Sequence, residues 1–170
     1  MKMKCLLVLM IFMLCHITIV NAQEAIGHAL IRVFDKPILL YDKSHKPIDT
    51  IICSVENDLL YSVAILKIKN HLAYINAYCF HNDVEIEKKG WIQLEYLGIN
   101  PSCYELILRE KPFNKSKVQC IISDASWGDL YPIKKAYKGW LYIEINIDKK
   151  CYSGWISPEL QCANPYSPCC

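Results

Sequence analysis

KKGWIQLEYL (residues 88–97) and CYSGWISPEL (residues 151–160) both carry Gly-Trp-Ile, the first starting at Gly90 and the second at Gly154. Two further segments repeat in the same order. ILLYDKS (38–44) aligns with LILREKP (106–112), and LAYINA (72–77) aligns with WLYIEI (140–145), both at one common offset. A shorter intervening loop accounts for the slightly smaller offset at Gly-Trp-Ile. Three segments in register, in one order and at nearly constant spacing, define one supersecondary unit written twice.

The polarity pattern gives the fold class. In LYIEINI, Leu141, Ile143, Ile145 and Ile147 share one face while Tyr142, Glu144 and Asn146 share the other. LAYINAY (72–78) has strand composition and VEIE (84–87) alternates again. A period of two in segments rich in β-branched and aromatic residues marks half-buried strands. After residue 30 no stretch sustains a helical stripe with caps. EAIGHALIRVF (24–34) is the one candidate helix, and Gly27 weakens it. The expectation is an all-β body.

At the amino end, MKMK precedes the apolar run CLLVLMIFMLCHITIV, and small residues then stand before Gln23. This order reads as a secretory signal peptide over residues 1–22, cleaved after Ala22, and places the protein in the periplasm or outside the cell. Losing Lys2 and Lys4 lowers Lys plus Arg from 19 to 17, level with the 17 Asp plus Glu, so the formal charge of +2 belongs to the leader. A neutral mature chain carries no electrostatic footprint for nucleic acid or an anionic membrane. No membrane span is expected once the leader is removed.

Eight of the ten cysteines remain after cleavage: Cys53, Cys79, Cys103, Cys120, Cys151, Cys162, Cys169 and Cys170. In an oxidising compartment these are expected to form disulfides. Cys53 with Cys79 and Cys120 with Cys151 are the simplest local pairs. Cys103, Cys162, Cys169 and Cys170 would tie the carboxyl end back onto the body. Paired Cys-x-x-Cys knuckles are missing and the histidines are scattered, so neither metal nor cofactor is expected.

The second unit resembles the bacterial SH3-like domain family. The residues that carry the resemblance are Leu106-Ile107-Leu108-Arg109 with Pro112, then Lys138-Gly139-Trp140-Leu141-Tyr142-Ile143, then Ser153-Gly154-Trp155-Ile156 with Ser157-Pro158-Glu159-Leu160. The first unit departs at Tyr41 and at His71-Leu72, and keeps Gly90-Trp91-Ile92 and Leu94-Glu95-Tyr96-Leu97. The resemblance implies two tandem small barrels in fixed contact, over residues 36–100 and 101–170. A lead-in would occupy 23–35, and a cysteine-rich tail would end the second barrel. Each Gly of Gly-Trp-Ile would sit at a sharp turn into a strand, and each Trp would pack across a barrel edge.

The resemblance also implies an aromatic groove between the loop after the first strand, the next long loop and the closing turn. Tyr41, Tyr61 and Tyr96 of unit one and Trp127, Tyr131 and Trp140 of unit two fall at or near those positions. Trp127 lies in an insertion, Ala125–Asp129, and Glu159 stands where the family closes with tyrosine. Aromatic side chains anchor extended ligands at low entropic cost. The expected function is non-catalytic binding of cell-wall peptide or another extended peptide. The alternative is a disulfide-rigid partner protein, of inhibitor or immunity type, in the cell envelope. Catalysis is not expected: Cys79-Phe80-His81 sets a thiol near an imidazole, but exported cysteines usually pair in disulfides, and Asp83, Glu85 and Glu87 alternate as a solvated strand face does.

Overall fold

The computed structural model describes residues 24–102, 105–123, 125, 130–147 and 149–167. The leader lies outside the described residues, as do Cys103, Trp127, Cys169 and Cys170. Over the described residues the chain is all-β. A first series runs β1 (Gly27–Ile31), β2 (Pro37–Tyr41), β3 (Pro47–Ile52), β4 (Ser62–Lys69), β5 (Leu72–His81), β6 (Val84–Gln93), a 3-10 turn at Leu94–Tyr96, and β7 (Leu97–Pro101). From β2 onward the series then repeats: β8 (Leu106–Arg109), β9 (Val118–Ile122), β10 (Tyr131–Tyr137), β11 (Trp140–Ile147), β12 (Lys150–Ile156), a 3-10 turn at Pro158–Leu160, and β13 (Gln161–Cys162).

The duplication reaches the irregularities. The β4–β5 ladder slips between Ile65 and Lys67, and the β10–β11 ladder slips between Ile133 and Lys135, the matching positions of the repeat. The β2–β3 and β8–β9 ladders slip between Leu40 and Tyr41 and between Leu108 and Arg109, which match in the same way. Such slips are specific local features, so sharing them means sharing one backbone plan. Two-residue hairpins join neighbouring strands where the sequence tolerates a left-handed backbone. Asn82 and Asp83 have φ of 50° and 60°, and Lys138 and Gly139 have 47° and 84°.

The candidate helix at 24–34 is instead the strand β1. A Cβ at Gly27 would stand 2.7 Å from the Leu141 Cδ2, the end of a flexible side chain, so the small residue there lets β1 lie close against the second unit. The glycines of Gly-Trp-Ile work in the same way and not as turn residues. Gly90 lies inside β6, where a Cβ would stand 2.9 Å from Leu40 Cβ. Gly154 lies inside β12, 2.8 Å from Leu108 Cβ on the same measure. Each glycine lets the last long strand of a unit cross its first strand at close range.

Strand pairing gives one open antiparallel path, β3-β2-β6-β5-β4-β1-β7-β10-β11-β12-β8-β9, with β13 added to β7. The sheet does not close on itself, and the two tandem small barrels expected from the sequence are not separate sheets in it. The reason lies in the pairing: β1 takes the free edge of β4, and β7 takes that of β10, edges that closure within a unit would need. β7 also crosses the boundary expected at residues 100 and 101. It bonds β1 through Leu97 and Gly98, β10 through Gly98 and Ile99, and β13 through Asn100 and Pro101. The boundary expected there is therefore a strand that both units share.

The core is continuous across that strand. Leu40, Ile65, Ile75 and Ile92 of the first unit and their counterparts Leu108, Ile133, Ile143 and Ile156 are buried in one cluster, with Leu97 and Ile99 of β7 between them. Among the described residues no helix is long and apolar enough to cross a membrane.

Candidate functional site

Residues directly opposite on antiparallel strands share a face, so the register can be read straight across the sheet. On the outward face of unit one the pairs Lys67↔Tyr74, Tyr74↔Trp91 and Trp91↔Tyr41 line up in one row across β4, β5, β6 and β2. On unit two the pairs Lys135↔Tyr142, Tyr142↔Trp155 and Trp155↔Arg109 make the same row across β10, β11, β12 and β8. The two rows keep lysine, tyrosine and tryptophan in the same order. Both tryptophans are half-buried, and both meet their tyrosine edge-on or tilted: centroids are 5.4 Å apart at 48° for Tyr74–Trp91 and 5.5 Å apart at 69° for Tyr142–Trp155. Such ring contacts hold the aromatic faces in place without burying them. Lys135 Nζ sits 5.1 Å from the Tyr142 ring centroid, and the Arg109 Nη1 donates to the Ser116 carbonyl at 2.8 Å.

Trp91 also opens onto a pocket of about 410 Å³. One wall is the hairpin between β2 and β3, which presents Lys43 and His45. Asp42 builds that hairpin by accepting the Ser44 and Lys46 amides on Oδ1, at 2.7 and 2.9 Å. The other wall is the end of β4, with Lys67 and Lys69 on one face, alternate residues of the strand. Among the described residues, neither these two nor Lys43 forms an ion pair; the ion pairs are Lys88–Asp49 and Lys89–Glu87, at 2.7 and 2.8 Å. A third outward residue of β5, Asn76, is buried and donates to the Tyr78 hydroxyl and, at 2.7 Å, to Glu87.

The sequence-derived site residues do not converge. Tyr61, Tyr131 and Trp140 are only 5%, 8% and 8% exposed, so they pack the core and do not line an open groove. Tyr61 borders a small apolar pocket of about 200 Å³ beside Cys53. Tyr96 is half-buried against the core, and Tyr41 alone of the described candidates joins the aromatic row. Trp127 lies outside the described residues. The other members of the rows, Lys67, Tyr74, Trp91, Lys135, Tyr142, Trp155 and Arg109, were not among the expected binding residues. The signal that finds them was present, since the offsets of the repeat superpose Lys67 on Lys135, Tyr74 on Tyr142 and Trp91 on Trp155.

Cys53, Cys79, Cys120 and Cys151 are free thiols in this structure, so neither expected local pair is made. Cys120 and Cys151 lie on β9 and β12, which β8 separates. In the other expected pair each sulfur accepts a backbone amide instead, that of Tyr61 at Cys53 and that of Leu60 at Cys79. Burial pushes the Cys53 thiol up to about 12 and raises that of Cys79. A thiol held protonated is a poor nucleophile. The His81 ring bonds Asn82 Nδ2 at 2.8 Å. Cys162 is disulfide-bonded. Among the described residues no cluster of three His, Cys, Asp or Glu side chains could hold a metal ion.

The chain matches no protein-family model and no curated protein.

Proposed function

We propose that this chain is an exported, non-catalytic binding module made of two tandem SH3-like units, and that it binds cell-wall peptide or another extended peptide. The observation that supports this reading is the outward row of lysine, tyrosine and tryptophan, built twice on the same four strands. A sheet face that buries its other side in the core has no folding need for a tryptophan pointing outward, and still less for two at equivalent positions. Four strands span about 14 Å, the length of roughly four extended residues. Rigid aromatic faces of that extent suit a chain laid across them. The leader at residues 1–22 would deliver the protein to the wall, and cysteine bonds in the tail would hold the carboxyl end onto the body.

Sedimentation with purified cell wall tests the reading. The mature protein is expected to pellet with the wall. Trp91→Ala and Trp155→Ala together are expected to weaken binding roughly tenfold or more while the melting temperature stays within a few degrees. Mature protein that stays in the supernatant at every wall concentration overturns the cell-wall reading. A double variant that pellets like its parent removes the aromatic rows from it.

A further inference from the structure

We infer that the pocket beside Trp91 is a carboxylate-binding site, so that the peptide taken by unit one is recognised through an acidic side chain. The inference rests on the peptide-binding reading above and adds the chemistry of one subsite to it.

Three observations carry it. Lys43 comes from the β2–β3 hairpin and Lys67 and Lys69 from β4, and all three border one cavity of about 410 Å³. Among the described residues none of the three ammonium groups has a carboxylate partner, whereas Lys88 and Lys89 on the neighbouring strand are both paired. Three like charges around one cavity repel each other, and an anion between them relieves that repulsion. The one carboxylate in the wall, Asp42, accepts two backbone amides on Oδ1 to shape the hairpin, and its single negative charge against three lysines leaves the wall net positive.

Trp91 explains why the anion would be part of a peptide and not a lone ion. Its indole borders the cavity and continues into the row with Tyr74 and Tyr41. A ligand with a carboxylate in the cavity would therefore carry its next residues onto aromatic faces. The second unit is not built for this. Arg109 replaces Tyr41 at the end of the row, its guanidinium is bound to the Ser116 carbonyl, and Lys135 is drawn over Tyr142. Glu110 stands where Asp42 stands in the first unit, and no lysine follows at the counterpart of Lys69, which is Tyr137.

The test compares tri-glutamate with tri-glutamine, both with amidated carboxyl termini, followed by tryptophan fluorescence and by amide shifts of β4 and β6 in the full mature protein. Tri-glutamate is expected to bind at least tenfold more tightly, and raising the salt from about 0.02 to 0.5 M should erase most of the difference. Lys67→Ala with Lys69→Ala should lower tri-glutamate affinity roughly tenfold and leave tri-glutamine unchanged. All three lysines are exposed, so these variants should fold. Equal binding of the two peptides overturns the carboxylate site and leaves peptide binding standing. Binding of neither peptide overturns the site too, and the wall sedimentation above then judges the broader reading separately. Tri-glutamate preference that survives the lysine variant moves the site elsewhere and overturns this one.

Discussion

Gly90 and Gly154 show what a single missing side chain does. An alanine at Gly90 would set its Cβ 2.9 Å from Leu40 Cβ and 3.3 Å from the Tyr41 carbonyl oxygen; at Gly154 it would meet Leu108 Cβ at 2.8 Å and the Arg109 carbonyl at 3.1 Å. Nothing flexible can give way there, since the neighbours are backbone and Cβ atoms. Gly90→Ala and Gly154→Ala are each expected to cost about 1–3 kcal/mol, read as a lowered denaturant midpoint. Similar losses at the two positions would follow from their equivalence, and an unchanged midpoint would contradict the close crossing. The cysteines give a second outcome at this scale. With Cys53 held up near 12, its thiolate fraction at pH 8 is roughly one in ten thousand, while Cys151 is exposed. Among Cys53, Cys79, Cys120 and Cys151, iodoacetamide on the native protein should label Cys151 first and Cys53 last, as read by peptide mass mapping. The glycines were visible in the sequence, but their role was not. Close approach at Gly90 depends on Leu40 and Tyr41 of β2, which are distant from it along the chain.

At the scale of strands, period-two patterning located β5, β6 and β11 well, because each buries one face and wets the other. It failed at β1, whose GHALI is buried on both faces except at His28 and so shows no alternation. It failed also to sort the aromatics, since whether a tyrosine on a strand points in or out depends on slips such as that between Ile65 and Lys67. β3 ends the sheet path, and its Asp49 is bonded to Lys88 on β6, two strands away. The Lys88 hydrogen bond, helped by the Thr50 amide, lowers the Asp49 carboxyl below its usual 3.8. A carboxyl lowered in the folded state adds stability above the usual value and loses it as the pH falls through the lowered one. The partners are partly exposed, so the effect is small, about 0.2–1 kcal/mol. Wild type should therefore lose its advantage over Asp49→Asn as the pH drops from 6 to below 3.8, measured by urea midpoints. An advantage that stays constant across that range would mean the pair does not fasten β3.

For the molecule as a whole, the repeat was legible because it is written in side chains, and the joining of the units was not. β7 pairs with β1, β10 and β13, and Leu97 and Ile99 within it are fully buried. Nothing in LGINP distinguishes a shared strand from a linker, since its partners come from residues 30–31, 131–132 and 161–162. The units are expected to melt together in a single calorimetric transition. Ile99→Ala should cost about 2–5 kcal/mol and speed hydrogen exchange in β5 and β11 alike. Two resolved transitions, or faster exchange confined to one unit, would show that the units are independent.

β7 has a mechanical consequence as well. The last strand, β13, is bonded to it and the first, β1, to both β4 and β7, so tension applied at the two chain ends loads β4 and the middle of the sequence before it reaches β6 or β12. A protein fixed at one end and pulled at the other would hold its outward tryptophans in place until the ladders of β1 and β7 gave way.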